Sequence, residues 1–132
     1  MFNKKKINIS VVGLGVGYAH AKAIKKDKNL NLLSIFDVNK EKSKKLSKIL
    51  NCDYKKKFEE IFENKELDGV VIASPDDKHC EQIITSIKNS KSFFCEKPFC
   101  NNYDELIKIK KVLKIKKNTS FESNLILRTV PI

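Results

Sequence analysis

Apolar residues along this chain fall into two alternating patterns. Short, near-continuous runs read as buried strands, and longer stretches with apolar residues every three or four positions read as helices. Ile7 to Val12 is the first run and Leu32 to Phe36 the second. Cys52-Asp53-Tyr54 is a short third, marginal by pattern alone, and Gly69 to Ala73 is the clearest after the first. Phe93-Phe94-Cys95 follows, and Thr119 to Thr129 reads as a last strand. The first predicted helix runs from about Gly17 to Asp27. A second follows Asn39, with Leu46, Ile49 and Leu50 on its inward face. Phe58, Ile61 and Phe62 mark one or two helical turns. A third helix opens at Asp76 or Asp77 and carries Cys80, Ile83, Ile84 and Ile87 at i, i+3, i+4 and i+7. A fourth carries Leu106, Ile109 and Leu113 inward. Asn39 suits an N-cap, and Asn102 with Glu105 makes an Asn version of the capping box. Strands alternating with helices predict an α/β fold: a doubly wound parallel sheet with right-handed crossovers and helices on both faces.

On such a sheet, ligands bind beyond the carboxyl ends of the strands. Four features fall there. After the first strand comes Gly13-Leu14-Gly15-Val16-Gly17, then a helix former, Ala19-His20-Ala21-Lys22-Ala23. Glycines adopt positive φ without steric cost and let a phosphate come close. A helix starting there points free N–H groups and the positive end of its dipole at a pyrophosphate site. After the second strand comes Asp37, 22 residues beyond Gly15. A dinucleotide-binding unit places a carboxylate about 20 residues on, to accept the adenosine ribose hydroxyls. The plainer alternative for Asp37 is a loop opener or helix cap. Ser74-Pro75 ends the fourth strand, because proline cannot donate to the ladder. Glu96-Lys97-Pro98 ends the fifth.

Composition narrows the class. With 132 residues and 41% hydrophobic content, the chain is expected to form one globular domain. No stretch approaches the roughly 20 apolar residues of a membrane span, and no secretory signal pattern is present. The net charge is +11, yet of 27 basic residues only Arg128 is arginine. Lysines fall on nearly every predicted helix and loop rather than along one stripe, so nucleic-acid readout is disfavoured. A general cationic field still favours anionic ligands. Cys52, Cys80, Cys95 and Cys100 show no C-x-x-C spacing, and His20 and His79 match no metal template. A reduced, cytoplasmic protein without a metal is the expectation.

With the four strand ends in place, the sequence resembles the Gfo/Idh/MocA oxidoreductases, named after glucose–fructose oxidoreductase and inositol dehydrogenase. The resemblance covers almost the whole chain. It rests on Val12-Gly13-Leu14-Gly15-Val16-Gly17-x-x-His20, on Ala73-Ser74-Pro75-Asp76-x-x-His79 and on Glu96-Lys97-Pro98, in that order at the right strand ends. It implies a Rossmann domain that binds NAD or NADP, followed by a mostly antiparallel second domain. It also implies hydride transfer between the nicotinamide and a sugar, sugar-nucleotide or polyol hydroxyl. The implied cofactor contacts are Gly13, Leu14, Gly15, Val16, Gly17, Asp37, Ser74, Pro75, His79, Glu96 and Lys97. Lys97 is the implied catalytic group, polarising the reacting hydroxyl or relaying its proton. The alternative for Lys97 is one more surface lysine. The resemblance further implies a cis Lys97–Pro98 bond.

Three departures qualify this. Gly17 comes one residue early for G-x-G-x-x-G, with Tyr18 in the usual place, although some branches of the family share the spacing. Asp76 stands where the family usually shows Asn, and a carboxylate near a phosphate is unfavourable unless it points away. The chain also stops at Ile132, where the family would enter its second domain with its usual Asp and His. Residues 1–120 are therefore expected to form the dinucleotide-binding domain and 121–132 the start of a crossing strand. Cofactor binding with little turnover by the chain alone is expected. Asp37 favours NAD over NADP, an effect that Lys40 and Lys42 soften.

Two other readings fit part of the pattern. An S-adenosylmethionine-dependent methyltransferase would also use a G-x-G-x-G turn and a later acid, but leaves Glu96-Lys97-Pro98 unexplained. A non-catalytic nucleotide sensor or interaction module would use the apolar residues Phe121, Leu125, Ile126, Leu127, Val130 and Ile132 for self-association.

Overall fold

The computed structural model describes residues 5–125. In chain order the elements are β1 (Ile7–Val12), α1 (Gly17–Lys26), β2 (Leu30–Phe36), α2 (Lys40–Leu50) and β3 (Asp53–Tyr54). A 3-10 turn (Glu59–Glu63) leads to β4 (Gly69–Ile72), α3 (Asp76–Lys88), β5 (Ser92–Cys95), α4 (Tyr103–Ile115) and β6 (Phe121–Ser123). The strands form one sheet in the order β3-β2-β1-β4-β5-β6, and every neighbouring pair is parallel. The fold is the doubly wound α/β sheet that the alternation predicts.

Successive strand residues point to opposite faces, and both faces are covered, which is why the central strands read as unbroken apolar runs. Val12, Val70, Ile72, Phe93 and Cys95 pack with Ile83, Ile87 and Ile109 on one side. Val11, Leu32, Ile35 and Val71 pack with Ala21, Ile24 and Leu50 on the other. Over β4–β6 this second face forms an open groove of about 720 Å³, bordered by Ile9, Val71, Phe94 and Glu122.

Both predicted caps form. Asn39 Oδ1 accepts from the Lys42 N–H at 3.0 Å, and Asn102 Oδ1 accepts from the Glu105 N–H at 2.9 Å. The return arm of the Asn102 box is displaced: Glu105 Oε2 accepts from the N–H of Asn101 at 2.7 Å, one residue ahead of the cap. The inward face of α2 differs from the pattern. Leu50 is buried and Leu46 packs against the core as expected, but Ile49 is 60% exposed, and Ser43 and Ser47 are buried beside Leu50. Ser47 Oγ donates to the Lys44 carbonyl at 2.9 Å, so a small polar side chain can be buried there. Counting apolar residues alone does not reveal such a face.

Phe121–Ser123 pairs in register with Phe93–Cys95 as the sixth strand, so the sheet continues past residue 120. Of the longer segment expected as strand, Thr119, Ser120, Asn124 and Leu125 lie outside β6, and residues 126–129 lie outside the described residues. Among the described residues, no helix is long and apolar enough to cross a membrane.

Candidate functional site

The glycines after β1 have three different surroundings. Gly13 has φ +82°, and a Cβ there would lie 2.4 Å from the Ala73 carbonyl oxygen and 2.5 Å from Ser74 N. Only glycine can make this turn so close to the end of β4. At Gly15 no protein atom lies within 4 Å of a Cβ position, so its backbone faces open space. At Gly17 a Cβ would sit 3.1 Å from both Val11 Cγ1 and Ala73 Cβ, so glycine here seats α1 against the sheet. These are the three tasks of a dinucleotide-binding turn: tight turn, close approach and helix packing. Gly17 performs the third despite standing one residue early. Tyr18 packs among the apolar residues under α1, with Lys22 Nζ 4.8 Å from its ring centre.

Helix α1 has no side-chain cap at Val16 and no acidic residue in its first turn. The Tyr18 and Ala19 N–H groups bond the Gly15 and Val16 carbonyls at 3.2 and 2.9 Å, and no carboxylate of the first turn compensates the positive dipole end.

Asp37 lies at the end of β2. Its Oδ2 accepts from the Leu14 N–H at 2.8 Å, and its Oδ1 accepts from the Asn39 N–H at 2.9 Å. Lys42 Nζ stands 3.8 Å from Oδ2. The loop-opening role of the plainer alternative is thus present, whereas the cap of α2 is Asn39. Each carboxylate oxygen has two lone-pair sites, so capacity for a further donor remains.

Gly13, Leu14, Gly15, Asp37, Ser74 and Pro75 line one cleft of about 710 Å³ at the carboxyl ends of β1 and β4, where the strand order reverses. Ser74 Oγ donates to Gln82 Oε1 at 2.5 Å, which fixes the loop after β4. Asp76 is not among the lining residues, whereas Asp77 is, paired with Lys78 at 3.3 Å.

Val16, Gly17, His79, Glu96 and Lys97 do not line this cleft. Lys97 is exposed at the end of β5, and the Lys97–Pro98 bond is cis. Glu96 is buried. Its Oε1 accepts from His20 Nε2 at 2.6 Å, and Asn124 Nδ2 reaches both carboxylate oxygens at 3.0 and 2.9 Å. Burial pushes the Glu96 carboxyl upward in pKa, but the donors from His20 and Asn124 more than offset it and hold the group below its ordinary value. His79 is 0% exposed, so it presents no surface to a ligand. Its ring nitrogens face two backbone carbonyls, Pro98 O at 2.7 Å and Ser74 O at 2.9 Å. The spacing places these residues near the carboxyl ends of the strands; it does not show that Glu96 and His79 point into the protein. His20, Asn124 and Gln82 enter the site unannounced by any glycine or proline signal, although His20 ends the first motif. Among the described residues, no group of three or more His, Cys, Asp or Glu side chains is placed to hold a metal ion.

This geometry defines a dinucleotide-type α/β nucleotide-binding domain. The chain belongs to the Gfo/Idh/MocA oxidoreductase family: residues 7–123 match its model, described as an oxidoreductase family with an NAD-binding Rossmann fold. It is 32% identical over 99 residues to myo-inositol 2-dehydrogenase of Thermotoga maritima, covering 73% of this chain and 29% of that protein. It is 29% identical over 109 residues to 2,7-anhydro-N-acetylneuraminate hydratase of Escherichia coli, covering 82% of this chain and 29% of that protein. Among solved structures, scyllo-inositol dehydrogenase of Lactobacillus casei with bound NAD(H) and scyllo-inositol superposes with TM-score 0.86 at 26% identity. That match covers 96% of this chain and 38% of the other. The chain thus spans less than a third of the length of these two curated relatives.

Proposed function

We propose that this chain is the cofactor-binding part of an oxidoreductase acting on a sugar, sugar-nucleotide or polyol hydroxyl, and that it prefers NAD to NADP. The observation that carries the proposal is the open backbone at Gly15, beside an uncapped helix start and within one cleft with Asp37. The N–H groups of residues 15–17 suit a pyrophosphate, while that of Leu14 is held by Asp37. Asp37 suits a ribose diol and repels a 2′-phosphate, a repulsion that Lys42 partly offsets. When bound, the nicotinamide supplies the hydride acceptor or donor.

The chain's own residues orient and protonate. Ser74 and Pro75 wall the cleft at the end of β4. Lys97, exposed on the cis-proline turn, is the group we assign to polarising the substrate hydroxyl or relaying its proton. Because the chain spans under a third of its relatives' length, the 132 residues by themselves are expected to bind cofactor with little turnover. The free cysteines suit a reducing, cytoplasmic setting.

A nucleotide sensor that docks on another chain is the second reading, favoured by the open apolar groove over β4–β6. Mass in solution tests it, including self-association through the apolar C-terminal segment: a clean monomer without cofactor affinity would remove sensor and enzyme together. The cofactor proposal is tested by titrating NADH, NADPH and S-adenosylmethionine. NADH is expected to bind tightest; preferential binding of S-adenosylmethionine would make the domain a methyltransferase, and tighter NADPH binding would remove the NAD preference.

A further inference from the structure

The chain's two histidines hold the residues on either side of Lys97. On one side, His20 from α1 bonds the Glu96 carboxylate through Nε2 at 2.6 Å, its ring 5.4 Å from that of Phe94. A carboxylate only accepts, so this nitrogen carries the hydrogen. Asn124, just after β6, donates to the same carboxylate. On the other side, His79 from α3 faces the Pro98 carbonyl and, through its second nitrogen, the Ser74 carbonyl. Both oxygens can only accept. Either neutral tautomer donates to one of them, and the doubly protonated ring donates to both.

We infer that His20 and His79 are positioning residues for Lys97. The inference rests on the role proposed above for that lysine. An exposed lysine has a long flexible stem, so where its ammonium can reach depends on how firmly its backbone is held. A displacement of about 1 Å at a reacting group can cost a hundredfold in rate. Here Glu96 is tied by its side chain to the helix that starts at the glycine turn, and Pro98 by its carbonyl to the helix that follows Ser74-Pro75. Each histidine therefore couples Lys97 to one wall of the cleft.

The test uses His20, which is partly exposed, in the 132-residue chain. His20→Phe keeps a ring beside Phe94 and removes the donor; His20→Gln keeps an N–H donor. Two quantities are read: the Lys97 side-chain carbon resonance, assigned by its loss in Lys97→Arg, and the NADH dissociation constant. His20→Phe is expected to move the resonance and weaken NADH binding about tenfold, while His20→Gln restores both to near wild type. An unmoved resonance in His20→Phe, or equal loss in both variants, would overturn the inference. If wild-type protein fails to bind NADH, the cofactor proposal falls, and the resonance comparison still decides the positioning role. For His79 the wild-type ring N–H is read by NMR. A signal protected from solvent exchange and coupled to a carbonyl carbon is expected; exchange as fast as that of an exposed histidine would remove His79 from the account.

Discussion

The backbone N–H of Leu14 donates to Asp37 Oδ2 at 2.8 Å, which ties the glycine turn after β1 to the end of β2 across 23 residues of sequence. One carboxylate thus fixes the loop proposed for the pyrophosphate, and under that proposal its remaining lone pairs are left for the ribose. Asp37→Ala leaves the Leu14 and Asn39 N–H groups without that acceptor. Such a loss costs on the order of 1–3 kcal/mol. Urea unfolding should register that loss, and the ratio of NADPH to NADH affinity should rise. Asp37→Asn keeps an acceptor oxygen and should retain more of the stability than of the NAD preference.

Gly13→Ala and Gly15→Ala should separate folding from binding. At Gly13 the added carbon meets the Ala73–Ser74 backbone, and φ is +82°. Strain and overpacking of this kind cost about 1–3 kcal/mol each. At Gly15 the added carbon meets no protein atom. Stability there should change by about 0.5 kcal/mol or less. NADH binding should nevertheless weaken at least tenfold, because the carbon occupies the approach to the helix start. Thermal melts beside NADH titrations read both effects.

The strands were legible because buried parallel strands are nearly all apolar, and their ends were marked by Gly13, Asp37, Pro75 and Pro98. Asn39 and Asn102 announced their helices through chemistry that acts within three residues. Less legible were contacts that depend on distant partners. Nothing local to Asp37 names Leu14 as its donor, and nothing near Glu96 names His20, 76 residues away. Spacing places His79 on the loop side of α3 but does not reveal that its ring turns inward to two carbonyls. Ile49 misleads for a related reason: a helix against a sheet can bury Ser43 and Ser47 where close packing favours small side chains.

Glu96 predicts the behaviour in acid. Its pKa is lower in the folded state than in the unfolded chain, so the stability it contributes is present above the ordinary carboxylate range. That contribution is lost as pH falls from the ordinary value through the depressed folded one. Glu96→Gln should therefore flatten the fall of stability with decreasing pH below about 4.5. Urea midpoints measured from pH 7 down to pH 3 check this; parallel curves for the two proteins would contradict it.

Two thiols should be inert in the folded protein. Burial pushes Cys95 up to about 12 and Cys52 up to about 11. At pH 8 both stay protonated, and the thiolate is the reactive form. Iodoacetamide labelling followed by peptide mass mapping should leave both unmodified until the protein unfolds. Rapid native labelling of Cys95 would show that β5 opens readily.

The most direct test of the cofactor assignment is a crystal structure of the chain soaked with NAD. The account predicts the pyrophosphate against the backbone of residues 15–17 and the adenosine ribose on Asp37. An empty cleft after a soak at saturating NAD, or a dinucleotide bound away from Gly15 and Asp37, would contradict it.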